Sequence, residues 1–342
     1  MTTEHPVRVG VIGTGFGARV VAPVYRETAG FDVVDVITPR DDDAVTELCA
    51  RRDVDLISVH SPPFLHRDHV RRAVEGGHAV LCDKPFGRNL AEAQDMHDVA
   101  TAAGVANLVN FEFRQHPARR ELRALVRDGV VGVVEHVHWN VLHPWWRFDA
   151  ERPYGWSFDA ELGGGWIRLS GSHLIDFVRW TLGEIAEATG AVRTTITERT
   201  DVDGRVQRCT AEDGYTAVLA TAAGPTATIE GTATSSALRP NRLTVVGSDA
   251  VLELSNENPR EEDARIVRYT RDDTKELFAF AQGDTYLSQM RQWAEIVRDT
   301  VRVGHAPPDA PTFADGLAVS RVIDRLEQNA LQAQERQGEE RA

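Results

Sequence analysis

The 342-residue sequence predicts an α/β protein of two domains: a doubly wound parallel sheet, then an α/β domain built on a large, open, mainly antiparallel sheet. Three observations carry that reading. A continuous apolar run near the N-terminus leads into a glycine-rich turn and a helical pattern. Short apolar strands then alternate with helices as far as residue 110. From Phe111 the apolar residues recur with period two instead.

Composition narrows the function. A net charge of −14, with Lys and Arg scattered among acids, excludes nucleic acid as a partner, because phosphate binding needs a basic surface. Cys49, Cys82 and Cys209 are too few and too dispersed for a disulfide framework or a metal cluster, so no metal is expected. Cys82, in AVLC, reads as a small buried hydrophobe. No apolar run approaches the length of a membrane span. MTTEHP enters the first strand directly, without a signal sequence, and the cytoplasm is the expected location.

The first domain is read as residues 1–110. VRVGVIG (7–13) is a strand buried on both faces. GTGFGA follows, with Gly13, Gly15 and Ala18 in the G-x-G-x-x-G/A spacing, and a helix runs on through Tyr25. Gly13 makes the tight turn, Gly15 admits a pyrophosphate, and Ala18 lets helix and strand pack closely. The helix N-terminus offers N–H groups to the phosphates, with Phe16 beside them. This is a Rossmann-type dinucleotide site. The second strand, FDVVDVI, ends in Thr38-Pro39-Arg40. A hydroxyl and a cation stand where an acid would hold the ribose of NAD, so NADP is expected, with NAD as the alternative.

Only 17 residues separate Ile37 from Asp55, the start of the next strand. A helix, a strand and a second helix would need roughly 30 residues, so one helix near 43–51 fits and the usual third strand is missing. Helix 66–76, strand 78–82, helix 89–103 and strand 106–110 complete the alternation. Two turns at the carboxyl edge carry polar groups. SPPFLH is a stiff loop contributing Ser61, Pro62 and His66 to the nucleotide site, and DKPFG contributes Asp83 and Lys84.

The second domain is read as 111–342, with the last helix packing back on the first domain. A helix near 117–128 leads into strands at 133–141, 191–197, 215–222, 226–234, 243–247, 251–255 and 265–270. Two helices close the chain, near 284–302 and 312–334. Thr-rich outer positions leave one sheet face open to water or a partner. Within this domain GGGWIRLSGSHLID (163–176) sets a triple glycine before a helix capped near Ser172. His173 and Asp176 lie one turn apart, and one turn before His173 stands Leu169. The residues alone fit either a catalytic face lacking one polar member or a core helix with a satisfied histidine. Trp145, Trp146, Trp156 and Trp166 flank the segment, as a wall for a sugar ring or as core.

In chain order VRVGVIGTGFGA, SPPFLH, LCDKPFG, FEFRQHPA, GGGWIRLSGSHLID and FADGLAVSRVID resemble the Gfo/Idh/MocA family of nicotinamide-dependent oxidoreductases, many of which act on sugars and cyclitols. The resemblance implies a Rossmann domain, an α/β domain, and a homodimer or homotetramer formed through the open sheet. It makes Lys84 and His173 the catalytic pair, with Asp83 in place of a more frequent glutamate. Leu169 replaces an aspartate often found four residues before the family's histidine. Glu112, Trp166, Arg168, His173 and Asp176 form the implied substrate-binding set. An α-helix would place Arg168 about 100° from Leu169, too far round to replace the acid. The expected activity is hydride transfer between NAD(P) and a secondary alcohol or ketone of a sugar-like small molecule. Two other readings stand beside it: a lyase or glycoside-cleaving enzyme that oxidises its substrate transiently with retained NAD, and a non-catalytic NAD(P)-binding regulator. Lys84 and His173 speak against the regulator; Leu169 speaks for it.

Overall fold

A computed structural model describes residues 5–149, 152–256, 262–279 and 286–339. The chain forms two compact units, 1–115 with 287–320 and 116–286 with 321–342.

In the first unit β1 (Val7–Ile12), α1 (Ala22–Glu27), β2 (Phe31–Ile37), α2 (Asp42–Ala50), β3 (Leu56–Val59), α3 (Pro63–Glu75), β4 (Ala79–Cys82), α4 (Leu90–Ala103) and β5 (Asn107–Val109) alternate. The strands make one parallel sheet in the order β2-β1-β3-β4-β5. Val9, Val11, Ile12, Ile57 and Val59 are fully buried, which is why β1 and β3 are continuous apolar runs. The 38–54 connection holds α2 and no strand. Asp41 caps α2 by accepting from the Ala44 amide at 3.1 Å. The strand order reverses between β1 and β3, so a ligand crevice lies at their carboxyl ends.

One boundary needs correcting. The stiff loop expected at 61–66 is shorter, because the helix begins at Pro63. Proline suits that first position: its missing N–H is an orphan there anyway, and its fixed φ starts the turn. Phe64, Leu65 and His66 are therefore helical.

Residues 287–320, read as second-domain sequence, belong to the first unit. They cover the β5 edge. The Pro311 carbonyl accepts from the Val109 amide at 3.0 Å, and the Phe313 amide donates to Asn107 Oδ1 at 3.0 Å. Arg114 pairs with Asp315 at 2.8 Å, and the Phe86 and Phe313 rings pack at 4.7 Å. An edge strand exposes unpaired backbone groups, and this segment satisfies them.

The second unit contains α5 (Pro117–Arg127), β6 (Val134–Leu142), α6 (Trp145–Phe148), α7 (Ser172–Leu182), β7 (Ile185–Arg193), β8 (Glu198–Thr200), β9 (Val206–Arg208), β10 (Gly214–Thr221), β11 (Thr226–Thr232), β12 (Asn241–Gly247), β13 (Val251–Asn256), β14 (Arg265–Tyr269) and β15 (Thr274–Ala279). The chain ends in α8 (Tyr286–Val303) and α9 (Phe313–Glu339). Eight strands form one sheet in the order β15-β14-β13-β12-β6-β11-β10-β7, antiparallel except between β6 and β11. Trp139, Leu219, Ile229 and Leu243 are buried on one face, where Trp139 meets Phe177 of α7 edge-on at 5.4 Å. Arg119 of α5 lies 4.8 Å over the same indole. Alternate residues on the other face, His138, Thr216, Val218 and Arg242, are exposed.

The strand expected at 191–197 is displaced: β7 occupies 185–193. IAEATG has poor strand propensity, but antiparallel pairing with β10 imposes the conformation. The β8–β9 hairpin and β15 carried too little pattern to be predicted.

Candidate active site

At the crevice of the first unit each glycine has a different task. Gly13 has φ +147°, and a Cβ there would meet the His60 carbonyl oxygen at 2.5 Å, so only glycine fits. At Gly15 a Cβ would meet nothing within 4 Å, so the backbone borders open space. The tight helix–strand approach falls on Gly17 and not on Ala18, which corrects the expected assignment. A Cβ at Gly17 would stand 2.9 Å from His60 Cβ and 3.1 Å from Val11 Cγ1, whereas Ala18 is half-buried. The physical reason is a π turn over Gly17–Val21, which starts the helix and shifts the inward-facing position. Phe16, half-buried, sets its ring edge-on to His60 at 5.9 Å.

Thr38 and Arg40 are exposed after β2, and Arg40 engages no acid among the described residues. The neighbouring acids are turned to other tasks: Asp41 caps α2 and Asp42 pairs with Arg72 at 2.6 Å. Pro62 is half-buried at the start of α3. Ser61 and His66 are buried and committed to the protein. Ser61 Oγ meets His69 Nδ1 at 3.0 Å. The His66 ring lies between the Ser61 and Pro85 carbonyl oxygens, at 2.7 and 3.0 Å. Burial holds the His66 pKa below its ordinary value, against the pull of Asp83 and the two carbonyls. His66 thus ties the start of α3 to the turn after β4, a brace and not an open nucleotide contact.

Asp83 is also a brace. Its Oδ1 accepts from the Lys84 amide at 2.8 Å and from Asn110 Nδ2 at 3.1 Å, and its Oδ2 meets His60 Nδ1 at 3.1 Å. Burial alone would raise its pKa, but the His60 contact, the Lys84 charge and Asn110 carry it below the usual value. Lys84 itself is half-buried. The chain has only 2 lysines, Lys84 and Lys275, against 36 arginines. That count is a signal the motif reading passed over. Where arginine serves almost every cationic position, a retained lysine marks a need for a compact ammonium that can take part in proton chemistry. Glu112 lies in a short 3₁₀ turn of the same unit, buried, with its carbonyl accepting from Gln289 at 3.1 Å.

In the second unit the helix does not start at Ser172. It begins with a π turn at Ile167–Gly171 and passes into α7 without a side-chain cap. The π turn closes at Gly171, and His173 follows in α7. Arg168 is buried and pairs with Glu327 at 2.6 Å. His173 and Asp176 are 7% and 2% exposed, while Leu169 is half-buried. Trp166 and Trp146 are core, 5.5 Å apart, and Trp156 is half-buried. Trp145, 43% exposed, packs on His143 at 4.1 Å and edge-on to Trp166 at 5.7 Å. Of the four tryptophans proposed for a wall, it shows the most open face.

Glu212 escaped the sequence reading altogether. Its Oε1 accepts from the Ile167 amide at 2.7 Å, and a Cβ on Gly165 would collide with its carboxylate. Burial pushes its pKa up to about 8, with the Ile167 amide opposing and the Glu327 charge reinforcing. No local pattern around AEDG announces this; only the fold brings it under the triple glycine.

Five parallel strands with a reversal point, a glycine turn with open space at Gly15, and a separate α/β unit with a large sheet define a nicotinamide-dinucleotide oxidoreductase fold. Residues 7–111 match the oxidoreductase family's NAD-binding Rossmann fold, and residues 119–253 match the GFO/IDH/MocA C-terminal domain. The chain belongs to the Gfo/Idh/MocA family of oxidoreductases. It is 28% identical over 277 residues to an uncharacterized oxidoreductase of Synechocystis sp., covering 75% of this chain and 74% of that one. It is 24% identical over 276 residues to the inositol 2-dehydrogenase of Rhizobium meliloti, covering 80% and 78%. A solved levoglucosan dehydrogenase in complex with NADH and L-sorbose shares the fold with TM-score 0.84 at 19% identity, over 96% of this chain and 98% of that one. Among the described residues no helix is long and apolar enough to cross a membrane, and no group of three or more His, Cys, Asp or Glu could hold a metal ion.

Proposed function

We propose that this oxidoreductase transfers hydride between NADP and a secondary alcohol or ketone of a sugar or cyclitol. The observation that carries the reading is Lys84 at the end of β4, one of two lysines in the chain and held by the Asp83 brace. The residues fit the nucleotide. Gly13, Gly15 and the helical run from Gly17 would hold the pyrophosphate, because Gly15 leaves room and the helix start presents amides. Thr38 and Arg40, which engages no acid among the described residues, favour a 2′-phosphate. When bound, the nicotinamide supplies the hydride acceptor. The chain's own share is proton and charge management. Lys84 stabilises the oxygen of the reacting carbinol as negative charge develops there. His173 takes the hydroxyl proton in oxidation and returns it in reduction, which an imidazole does well near neutral pH. Arg168 and Trp145 line the sugar side, and Leu169 presents an apolar surface in place of a carboxylate, which selects a substrate with fewer hydroxyls to satisfy.

The exposed face of the eight-stranded sheet supports a homodimer or homotetramer, and the three buried free cysteines suit the cytoplasm. The test is mass spectrometry of nucleotide that co-purifies with the protein, followed by a panel of sugars and cyclitols, inositol and levoglucosan included, with NADP and NAD. Reduction of either nucleotide by a panel member is the expected result. A protein that binds nucleotide tightly but turns over none of the panel would count against it.

A further inference from the structure

Beneath the crevice of the first unit runs a buried hydrogen-bonded chain that the reaction has not yet used. Tyr25 Oη meets Ser58 Oγ at 3.1 Å, Ser58 Oγ meets His60 Nε2 at 2.8 Å, and His60 Nδ1 meets Asp83 Oδ2 at 3.1 Å. Asp83 is held as a carboxylate, so it accepts and His60 donates from Nδ1.

The same residue also borders the glycine turn. The His60 carbonyl bars a side chain at Gly13, its Cβ bars one at Gly17, and its ring meets Phe16 edge-on. His60 therefore abuts the nucleotide turn with its backbone, Cβ and ring and, through Asp83, reaches the backbone amide of Lys84. We propose that His60 is a positioning residue: it clamps Asp83, fixes the peptide that carries Lys84, and locks that peptide to the glycine turn. This rests on the reading of Lys84 as the oxygen-binding group. The choice of residue at position 83 follows from it. An aspartate is short, and the His60 ring fills the distance to β3.

The two-lysine composition makes the test direct. The rate at which acetic anhydride acylates Lys84 is read by peptide mass spectrometry, with Lys275 as internal reference. His60→Leu keeps the volume but loses the donor. His60→Asn places an amide N–H near the Nδ1 position, whereas in His60→Gln the amide reaches past it toward Ser58. The Lys84/Lys275 ratio should change by about threefold or more in the Leu and Gln variants, the low end of what one lost hydrogen bond is worth, and return toward wild type in Asn. Turnover with a sugar that the wild type oxidises should fall roughly 10- to 100-fold in Leu and Gln, the size of effect expected when a reacting group is misplaced by about 1 Å. NADPH affinity, read by nicotinamide fluorescence, should move much less. An unchanged labelling ratio in folded Leu and Gln variants, or an Asn variant no better than Gln, overturns the clamp. Labelling needs no substrate. A panel without turnover would thus sink the hydride-transfer reading while the clamp is still decided.

Discussion

The glycines at 13–17 lead into a π turn at Gly17–Val21, and those at 163–165 lead into another at Ile167–Gly171. Both sites present helix-start amides, and both need glycine because something lies close to the backbone. At the first, Gly13 and Gly17 press on His60 while Gly15 borders open space. At the second, Gly164 lies against the Trp156 and Asp159 carbonyls, and Gly165, at φ +113°, lies against the Glu212 carboxyl, which accepts from Ile167. One glycine cluster leaves its amides for an external anion. The other has its acid built in. A glycine cluster before a helix therefore announces a close neighbour, without saying whether that neighbour is a ligand or the protein itself.

The largest expected effects concern the two side chains that the clusters serve. Lys84→Ala and His173→Ala should each lower turnover by roughly 100- to 10,000-fold, the usual cost of losing a positioned acid–base group. His173→Ala should leave NADPH binding almost unchanged, because the nucleotide turn lies in the other unit. Full activity in folded His173→Ala would reduce its helix to a core element.

Next comes a pair of substitutions that should separate the clusters. Gly15→Val meets open space, so its melting temperature should hold while NADPH affinity drops by about tenfold or more, about 1.4 kcal/mol. Gly165→Ala forces a left-handed φ and collides with Glu212, so it should cost about 1–3 kcal/mol of stability while nucleotide affinity holds. Thermal melts and nucleotide titrations of the two variants decide it. If both lose the same property, the contrast is wrong.

Glu212→Gln sharpens the second site further. A buried acid whose pKa is raised to about 8 keeps its proton on folding. The folded state then binds more protons than the unfolded chain between about pH 4.5 and 8, and stability falls as pH rises through that window. The wild type should be most stable at the acid end with respect to this group. The glutamine variant should flatten the slope and melt higher at pH 8, by on the order of a few kcal/mol, with little difference at pH 5. Equal slopes for the two proteins would show that Glu212 is ionised throughout.

The smallest effect is expected at the rim of the first site. Arg40→Ala should narrow the preference for NADPH over NADH by roughly tenfold, the worth of one charge-assisted contact. Equal affinities of the wild type for the two nucleotides would remove the case for NADP.

Much of this protein was legible in the sequence because the determinants are local. VRVGVIGTGFGA sets an apolar strand against a glycine turn, and 17 residues cannot hold a helix, a strand and a second helix, so the five-stranded parallel sheet and its crevice follow from spacing. The lysine in DKPFG and the histidine in GSHLID were visible for the same reason. Tertiary structure alone decided what depends on residues far apart in the chain. It placed His60 on Asp83, Glu212 under Gly165, and 287–320 on the edge of β5. It also shifted the tight approach from Ala18 to Gly17, through a π turn that no residue pattern specifies. Local propensity chooses among strand, turn and helix. Which buried polar group meets which is fixed only when the packed chain must satisfy every donor and acceptor it has removed from water.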